Sequence, residues 1–375
     1  MPAGTRRLPG QYYRGLNYLL DGRPDGAVDH FISALEVNSE TLETHIALGN
    51  VLRRRGEVDR AIRLHQNLLA RPNLPRDQAH IAHLELARDY ISAGLLDRAE
   101  QLLLDLVTES DQQRAVSRQH LIEIYRSQSD WQSAIDVAKT FQTRKALLRP
   151  STDTSYLSGQ AIHVQLTHFL CERSAEMTAV GDTDEARKLL QQALEYDPRC
   201  VRASLELGHL EAAVGNHRSA IQALRQVVEK DADFLPEAVP VLRESHQALA
   251  EEEALSSYLR ECLDEHPSTP LIIAVTEDLM RDQGRDAAYE FLAGRLAEVP
   301  SLRGLLRLIR LQQLGESEAP DASIAMLSAL LDRLIEDRPI YRCGHCGFSA
   351  KHLLWFCPGC KYWGTFRTIR TTETE

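Results

Sequence analysis

Small and apolar positions recur along this chain at a fixed interval. Gly15 and Gly49 are 34 residues apart, as are Gly22 and Gly56, and Ala27 and Ala61. The interval of 34 returns further on, from Gly181 to Gly215, from Ala186 to Ala220 and from Ala220 to Ala254. Between the two runs it slips: Gly56 to Gly94 is 38 residues, with Pro72 and Pro75 in the extra turn, and Ala99 to Ala134 is 35. Co-aligned landmarks at such a period predict stacked helix-turn-helix units, each burying its apolar face only against its neighbours.

The landmarks have assignable roles. Gly49 sits where one helix approaches the next, Gly56 ends that helix in a left-handed cap, and Ala61 is the small contact residue of the second helix. The unit from Gly181 through Ala186 and Ala193 to Pro198 is the clearest. Thirty-four residues is the period of the tetratricopeptide (TPR) repeat. The expected fold is therefore all-α, a TPR-type solenoid coiled into a superhelix, closed by a small C-terminal module. Six clear units span about residues 8–233, and weaker pairs follow at 235–266, 270–299 and 301–337. Residues 144–160, polar and aperiodic, read as a loop interrupting the stack. Divided by composition, the chain has an N-terminal extension (1–10), a repeat array (11–337) and a metal-binding domain (338–375). A stacked array offers a long concave face that grips peptides or proteins and brings no catalytic chemistry of its own.

The last 35 residues differ in kind. Four of the seven cysteines lie there, as Cys343-Gly-His-Cys346 and Cys357-Pro-Gly-Cys360, with ten residues between the two pairs. Two such turns complete a tetrahedral shell of thiolates around one divalent ion, and both zinc and iron accept it. Glycines 344, 347 and 359 are expected to free the backbone in these turns, and Pro358 to preset the second. So short a module needs a staple, and metal binding is then folding energy. Tyr341, Phe348, Trp355, Phe356, Tyr362, Trp363 and Phe366 are expected to form a small core around the ion. The helix ending near Glu336 leaves a tether of only ~14 Å, which predicts docking on the end of the array. Cys171, Cys200 and Cys262 fall in repeats and read as small core residues.

Composition narrows the function. The chain has 43% hydrophobic and 26% charged residues, as a folded soluble protein does. Net charge is −11 overall, −14 before residue 341 and +3 after it. A globally basic, nucleic-acid-binding surface is thus excluded. Phosphate-loop, dinucleotide, HExxH and GxSxG motifs are absent, so the chain is not expected to be an enzyme. His83-Leu-Glu85 is half of a deaminase signature without its cysteine partner, and His80 with His83 reads as repeat packing. A redox protein with an iron site, or a zinc ribbon on nucleic acid, are the alternatives. For a partner surface, Asn50, Arg53, Arg54 and Arg55 on the Gly49 helix, with Arg88 and Tyr90 in the next repeat, lie near groove-lining positions. The arginine run suits an acidic segment or anionic headgroups, or else balances the helix dipole.

The stretches from Gly49 to Gln66, Ala87 to Glu100 and Asp130 to Ala138, with the tail from Tyr341 to Trp363, resemble the lipopolysaccharide assembly protein B (LapB) family. The resemblance runs from about residue 11 to 370. It implies a non-enzymatic adaptor that binds the membrane protease FtsH, promotes degradation of the deacetylase LpxC and works with other lipopolysaccharide-assembly proteins. It also implies a rubredoxin-like tail whose ligands are Cys343, Cys346, Cys357 and Cys360, packed on the repeats. The family is anchored on the cytoplasmic face of the inner membrane. Nothing before Gln11 could span a bilayer, so that anchor is expected to be absent here and the chain to be soluble and cytoplasmic as it stands. A homodimer is compatible with the array.

Overall fold

The computed structural model describes residues 42–72, 74–141, 156–157, 160–314, 322–336 and 338–369, together with residues 14, 17 and 18. The extension 1–10 and, apart from residues 14, 17 and 18, the first expected unit with Gly15, Gly22 and Ala27 lie outside the described residues. The chain divides into two compact units, Met1–Thr140 and Phe141–Glu375.

In the first unit three antiparallel hairpins follow one another. They are α1 (Leu42–Arg54) with α2 (Val58–Leu69), α3 (Arg76–Ser92) with α4 (Leu96–Glu109), and α5 (Arg114–Gln128) with α6 (Trp131–Lys139). The second unit holds α7 (Ile162–Ala179) with α8 (Thr183–Tyr196), α9 (Val201–Ala213) with α10 (His217–Lys230), and α11 (Leu235–Ala248) with α12 (Glu252–Glu265). It continues with α13 (Thr269–Asp282) and α14 (Arg285–Glu298), then α15 (Leu302–Gln313) and α16 (Ala322–Glu336). A 3₁₀ turn, Ala232–Phe234, leads into α11. The all-α, TPR-type architecture is as the 34-residue period requires.

The period works through steric detail. A Cβ on Gly49 would meet the His65 ring at 2.4 Å, and one on Gly208 would meet Leu224 at 2.4 Å, so glycine lets the paired helices close. Ala61, Ala99, Ala134, Ala186 and Ala220 are fully buried at the matching contact on the second helix. Every described hairpin turn has one residue at positive φ. Glycine takes it at 56, 94, 181, 215 and 284, but Ser129 (57°) and Ala250 (55°) take it in the third and sixth hairpins. At the first turn Glu57 N–H bonds back to the Leu52 carbonyl at 3.0 Å, satisfying an end-of-helix acceptor. The expected landmark at Ala254 is displaced by one: Ala254 is exposed and Leu255 fills the buried position.

First helices of successive hairpins lie side by side in the second unit, α7 on α9, α9 on α11, α11 on α13 and α13 on α15, forming a wall. Its core includes Leu205, Leu235, Leu242, Leu259 and Ile272. Of the expected loop, residues 144–155, 158 and 159 lie outside the described residues. In its described part β1 (Tyr156–Leu157) pairs antiparallel with β2 (Gln160–Ala161), which runs straight into α7. The tail is a three-stranded antiparallel sheet, with β3 (Tyr341–Cys343) between β4 (Ser349–Ala350) and β5 (Phe366–Thr368). No helix among the described residues is long and apolar enough to cross a membrane.

Candidate metal centre and its seat on the repeats

Each Cys-x-x-Cys pair closes a turn of the same form. Gly347 N–H bonds to the Cys343 carbonyl and Lys361 N–H to the Cys357 carbonyl, both at 2.9 Å. The residue after each second cysteine is left-handed, Gly347 at φ 80° and Lys361 at φ 65°. Glycine is therefore needed for its backbone freedom at 347 but not at 344 or 359, which have ordinary φ. Gly359 instead makes room, since a Cβ there would sit 3.3 Å from Cys346 Sγ.

The two turns bring four sulfurs within 4.8 Å of one another, the one group among the described residues that could hold a metal ion. Cys343 Sγ lies 3.7 Å from Cys360 Sγ, and Cys346 Sγ 3.6 Å from Cys357 Sγ. Thiolates ~2.3 Å from a central ion would stand about 3.8 Å apart, so the donor set fits one ion in a closed shell. Burial opposes ionisation of Cys343. Hydrogen bonds from Thr365 Oγ1, at 3.1 Å, and from the Cys346 and His345 N–H groups outweigh it, bringing the thiol down to about 6. Burial pushes Cys360 up to about 12, and its hydrogen bonds with the other three thiols act in the same direction.

The module does not dock on the end of the array as the tether predicted. It lies on the wall of first helices in the second unit. Packed helices stand ~10 Å apart, so a short tether limits distance from Glu336 without selecting the terminal hairpin. Side chains on the wall select the seat. Gln160 Nε2 donates to the Trp363 carbonyl at 2.8 Å, and Trp363 N–H donates to Gln160 Oε1 at 3.0 Å. His168, on α7, stacks on the Trp363 ring at 5.1 Å, and Phe234 stacks on Trp355 at 5.7 Å. Arg202, on α9, is 5% exposed and bonds Glu172 at 2.9 Å and Glu206 at 2.6 Å. Its guanidinium carbon lies 5.9 Å from the centre of both tryptophan rings. The Tyr341 hydroxyl donates to Glu237, and burial there pushes its pKa up. Burial holds the His168 imidazole well below its usual pKa, and the Arg202 charge acts in the same direction.

The aromatics thus serve two purposes. Tyr341 and Phe366 pack with Cys343 and Cys357 around the site. Trp363, 3% exposed, is spent on the repeats rather than displayed, while Phe348 is 42% exposed. Sequence reading missed Gln160, His168, Arg202, Phe234 and Glu237, and no local motif marks them.

The candidate groove residues lie elsewhere, in the first unit, and most are tied down. Arg53 bonds Asp89 at 2.6 Å, Glu85 at 2.8 Å and Asn50 Oδ1 at 2.5 Å. Asp89 is fully buried and also bonds His65 Nδ1 at 2.5 Å. Arg88 bonds Glu85 at 2.6 Å and His120 at 3.1 Å, and the Tyr90 hydroxyl accepts from Gln66 at 3.0 Å. These contacts join α1, α2, α3 and α5, so the run at 53–55 is not a free cationic cluster. Arg54 and Arg55 are exposed. Cys171, Cys200 and Cys262 are buried.

Comparison with known proteins adds to this geometry. The family model described as a rubredoxin metal binding domain matches residues 341–368, and tetratricopeptide repeat models match 44–79 and 177–239. Lipopolysaccharide assembly protein B of Escherichia coli (strain K12) is 33% identical over 98% of this chain and 91% of its own length. The protein of the same name from Haemophilus influenzae is 30% identical over 98% of this chain and 92% of its own. The chain belongs to the lipopolysaccharide assembly protein B family. A solved tetratricopeptide repeat protein from Parabacteroides merdae aligns at 12% identity over 78% of this chain and all of its own, with a TM-score of 0.34, too low to bear on the fold. Family membership and the sulfur geometry together assign one metal ion to a site of cysteines in the tail.

Proposed function

We propose that this chain is a non-enzymatic adaptor in lipopolysaccharide assembly, which binds the FtsH protease and promotes proteolysis of the LpxC deacetylase. Cys343, Cys346, Cys357 and Cys360 hold the ion, zinc or iron, whose role is to fold residues 338–375. Residues 11–337 supply the surfaces that grip protein partners, and the protein works at the cytoplasmic face of the inner membrane.

The observation that carries this reading is the seat of the module. Gln160, His168 and Arg202 join the metal-dependent tail to the repeats of the second unit. A closed four-thiolate shell leaves no open coordination position for substrate, which supports a structural role for the ion. Family membership supports the place in lipopolysaccharide assembly.

Affinity capture of the chain from solubilised membranes of its native host, read for FtsH and LpxC, is the test. The wild-type chain is expected to bring down both, and Cys343→Ser to lose metal and leave LpxC long-lived. Normal LpxC turnover in a metal-free Cys343→Ser chain, or a wild-type capture without FtsH, would overturn the proposal.

A further inference from the structure

The last helix of the array carries two apolar faces. One packs inward: Leu331 is 6% exposed against Leu306 and Ile309 of α15, with Ile324 and Ile335 beside it. Arg310 bonds Asp332 at 2.8 Å and fixes that side of α16. The other faces outward. Met326 is 66% exposed, Leu327 48%, Leu330 47% and Leu334 52%. At 100° per residue these four span about 100° of the helix, from Met326 through Leu330 and Leu334 to Leu327, and the stripe adjoins the inward face, with Leu327 about 40° from Leu331. Solenoids ordinarily end in a helix with a polar outer face. Here the chain turns away after Glu336 into the metal module, which sits on the wall of α7, α9 and α11.

We propose that this stripe is the interface of a homodimer, in which α16 of a second copy packs antiparallel across it on a two-fold axis at Leu330. The spacing is self-complementary. Met326 and Leu334 stand four residues either side of Leu330, so an antiparallel partner sets each Met326 level with the other copy's Leu334 and Leu330 against itself. Leu327 then stands level with the partner's Arg333. Arg333 borders the stripe and can lay its aliphatic stem over the rim. An isologous contact needs this match of a surface to its own reverse.

Area supports a second copy. The four side chains offer roughly 400 Å² of apolar surface per copy, the size at which patches on single chains become functional. Doubled, and with the Ala329 and Arg333 rim, the pair buries on the order of 1,000 Å², the threshold for a specific interface. The expected dimer is reversible and concentration-dependent.

Sedimentation velocity on the full metal-loaded chain, over a concentration series, tests this. The wild type is expected to pass from monomer to dimer, and Leu330→Arg to remain monomeric with unchanged circular dichroism. Leu330→Ser serves as a milder variant should the arginine disturb folding, and is expected to weaken the dimer at least tenfold. Leu330→Cys is expected to form a reducible cross-linked dimer under mild oxidation, and Glu336→Cys, off the stripe, is not. A wild type that stays monomeric throughout, or a dimer that persists unweakened in Leu330→Arg and Leu330→Ser, overturns the proposal. So does a monomer that floats with anionic lipid vesicles through Leu330, since the stripe would then be a membrane contact.

Discussion

Gln160 and Trp363 stand 203 residues apart and exchange two hydrogen bonds, side-chain amide to peptide, as two strands of a sheet would. The contact joins the ribbon leading into α7 to the turn after the last metal-ligating cysteine. It makes Gln160 a clasp for the tail, and a substitution there tests docking without touching a metal ligand.

Gln160→Ala removes both of its hydrogen bonds to the Trp363 peptide, at a cost of about 1–3 kcal/mol. Residues 338–369 are expected to exchange amide hydrogens faster and to be cut sooner by protease, with the metal retained. Unchanged protection of the tail would show that the clasp carries no weight.

Docking should weaken in mild acid through His168. The native imidazole is held neutral, its pKa depressed by burial and by Arg202, whereas an undocked imidazole has the ordinary pKa near 6.5. Above about pH 6.5 neither form takes up a proton, and His168 contributes no pH dependence. Below it the undocked form protonates first, so docking loses about 1.4 kcal/mol per pH unit until the depressed native pKa is reached. His168→Phe keeps the stacking and removes the proton. Its tail stability is expected to vary less with pH below 6.5 than the wild type's, and two parallel profiles would refute the assignment. Both proteins share the same cysteines, so acid loss of metal cancels in the comparison.

Removing the ion should unfold the tail and spare the hairpins, since metal binding supplies on the order of 10 kcal/mol to so small a module. The chain has three tryptophans, and Trp355 and Trp363 belong to the module while Trp131 opens α6. A strong chelator is expected to shift the emission of the first two to the red and to leave far-ultraviolet circular dichroism nearly unchanged. Emission that stays put after proven metal loss would mean that the module folds without its ion.

Arg53 gives a prediction of structure rather than of partner binding. Arg53→Met leaves Asp89, fully buried, without its arginine, and leaves Glu85 with Arg88 alone, and breaking such a buried pair costs about 3–5 kcal/mol. Arg54→Ala, on the exposed side, is expected to change stability by no more than about 0.5 kcal/mol. Equal denaturation midpoints for the two variants would return Arg53 to the list of partner contacts.

Ala250 holds the left-handed place that glycine holds in the neighbouring turns. A residue with a Cβ loses about 1–2 kcal/mol in that conformation, partly offset by the greater freedom glycine gives the unfolded chain. Ala250→Gly is therefore expected to raise the denaturation midpoint of the second unit, by up to about 1 kcal/mol, and Gly215→Ala to lower it.

These residues also show what a sequence reveals. Gly56, Gly181 and Gly215 betray the turns because only glycine is at ease there, and the period is visible wherever they stand. At Ser129 and Ala250 the same geometry is imposed by the flanking helices, so the landmark vanishes while the turn persists. The metal site is legible because each pair of ligands lies within one turn of chain. Its seat is not. Gln160, His168 and Arg202 are ordinary residues until the fold sets Trp363 against them. Arg53 resembled a free cation because its carboxylates lie 32 and 36 residues further along.

The seat on α7, α9 and α11 bears on how the tail can be deleted. A chain cut at residue 338 would bare Phe234, His168 and the Arg202 guanidinium to water, leaving a sticky patch with a desolvated ion-pair cluster beside it. The phenotype of such a truncation would mix loss of the tail with gain of an unnatural adhesive surface. Point changes in the cysteines leave the same patch bare once the tail unfolds, so they share the ambiguity. Gln160→Ala, which loosens the lid while its ion stays bound, separates the two effects.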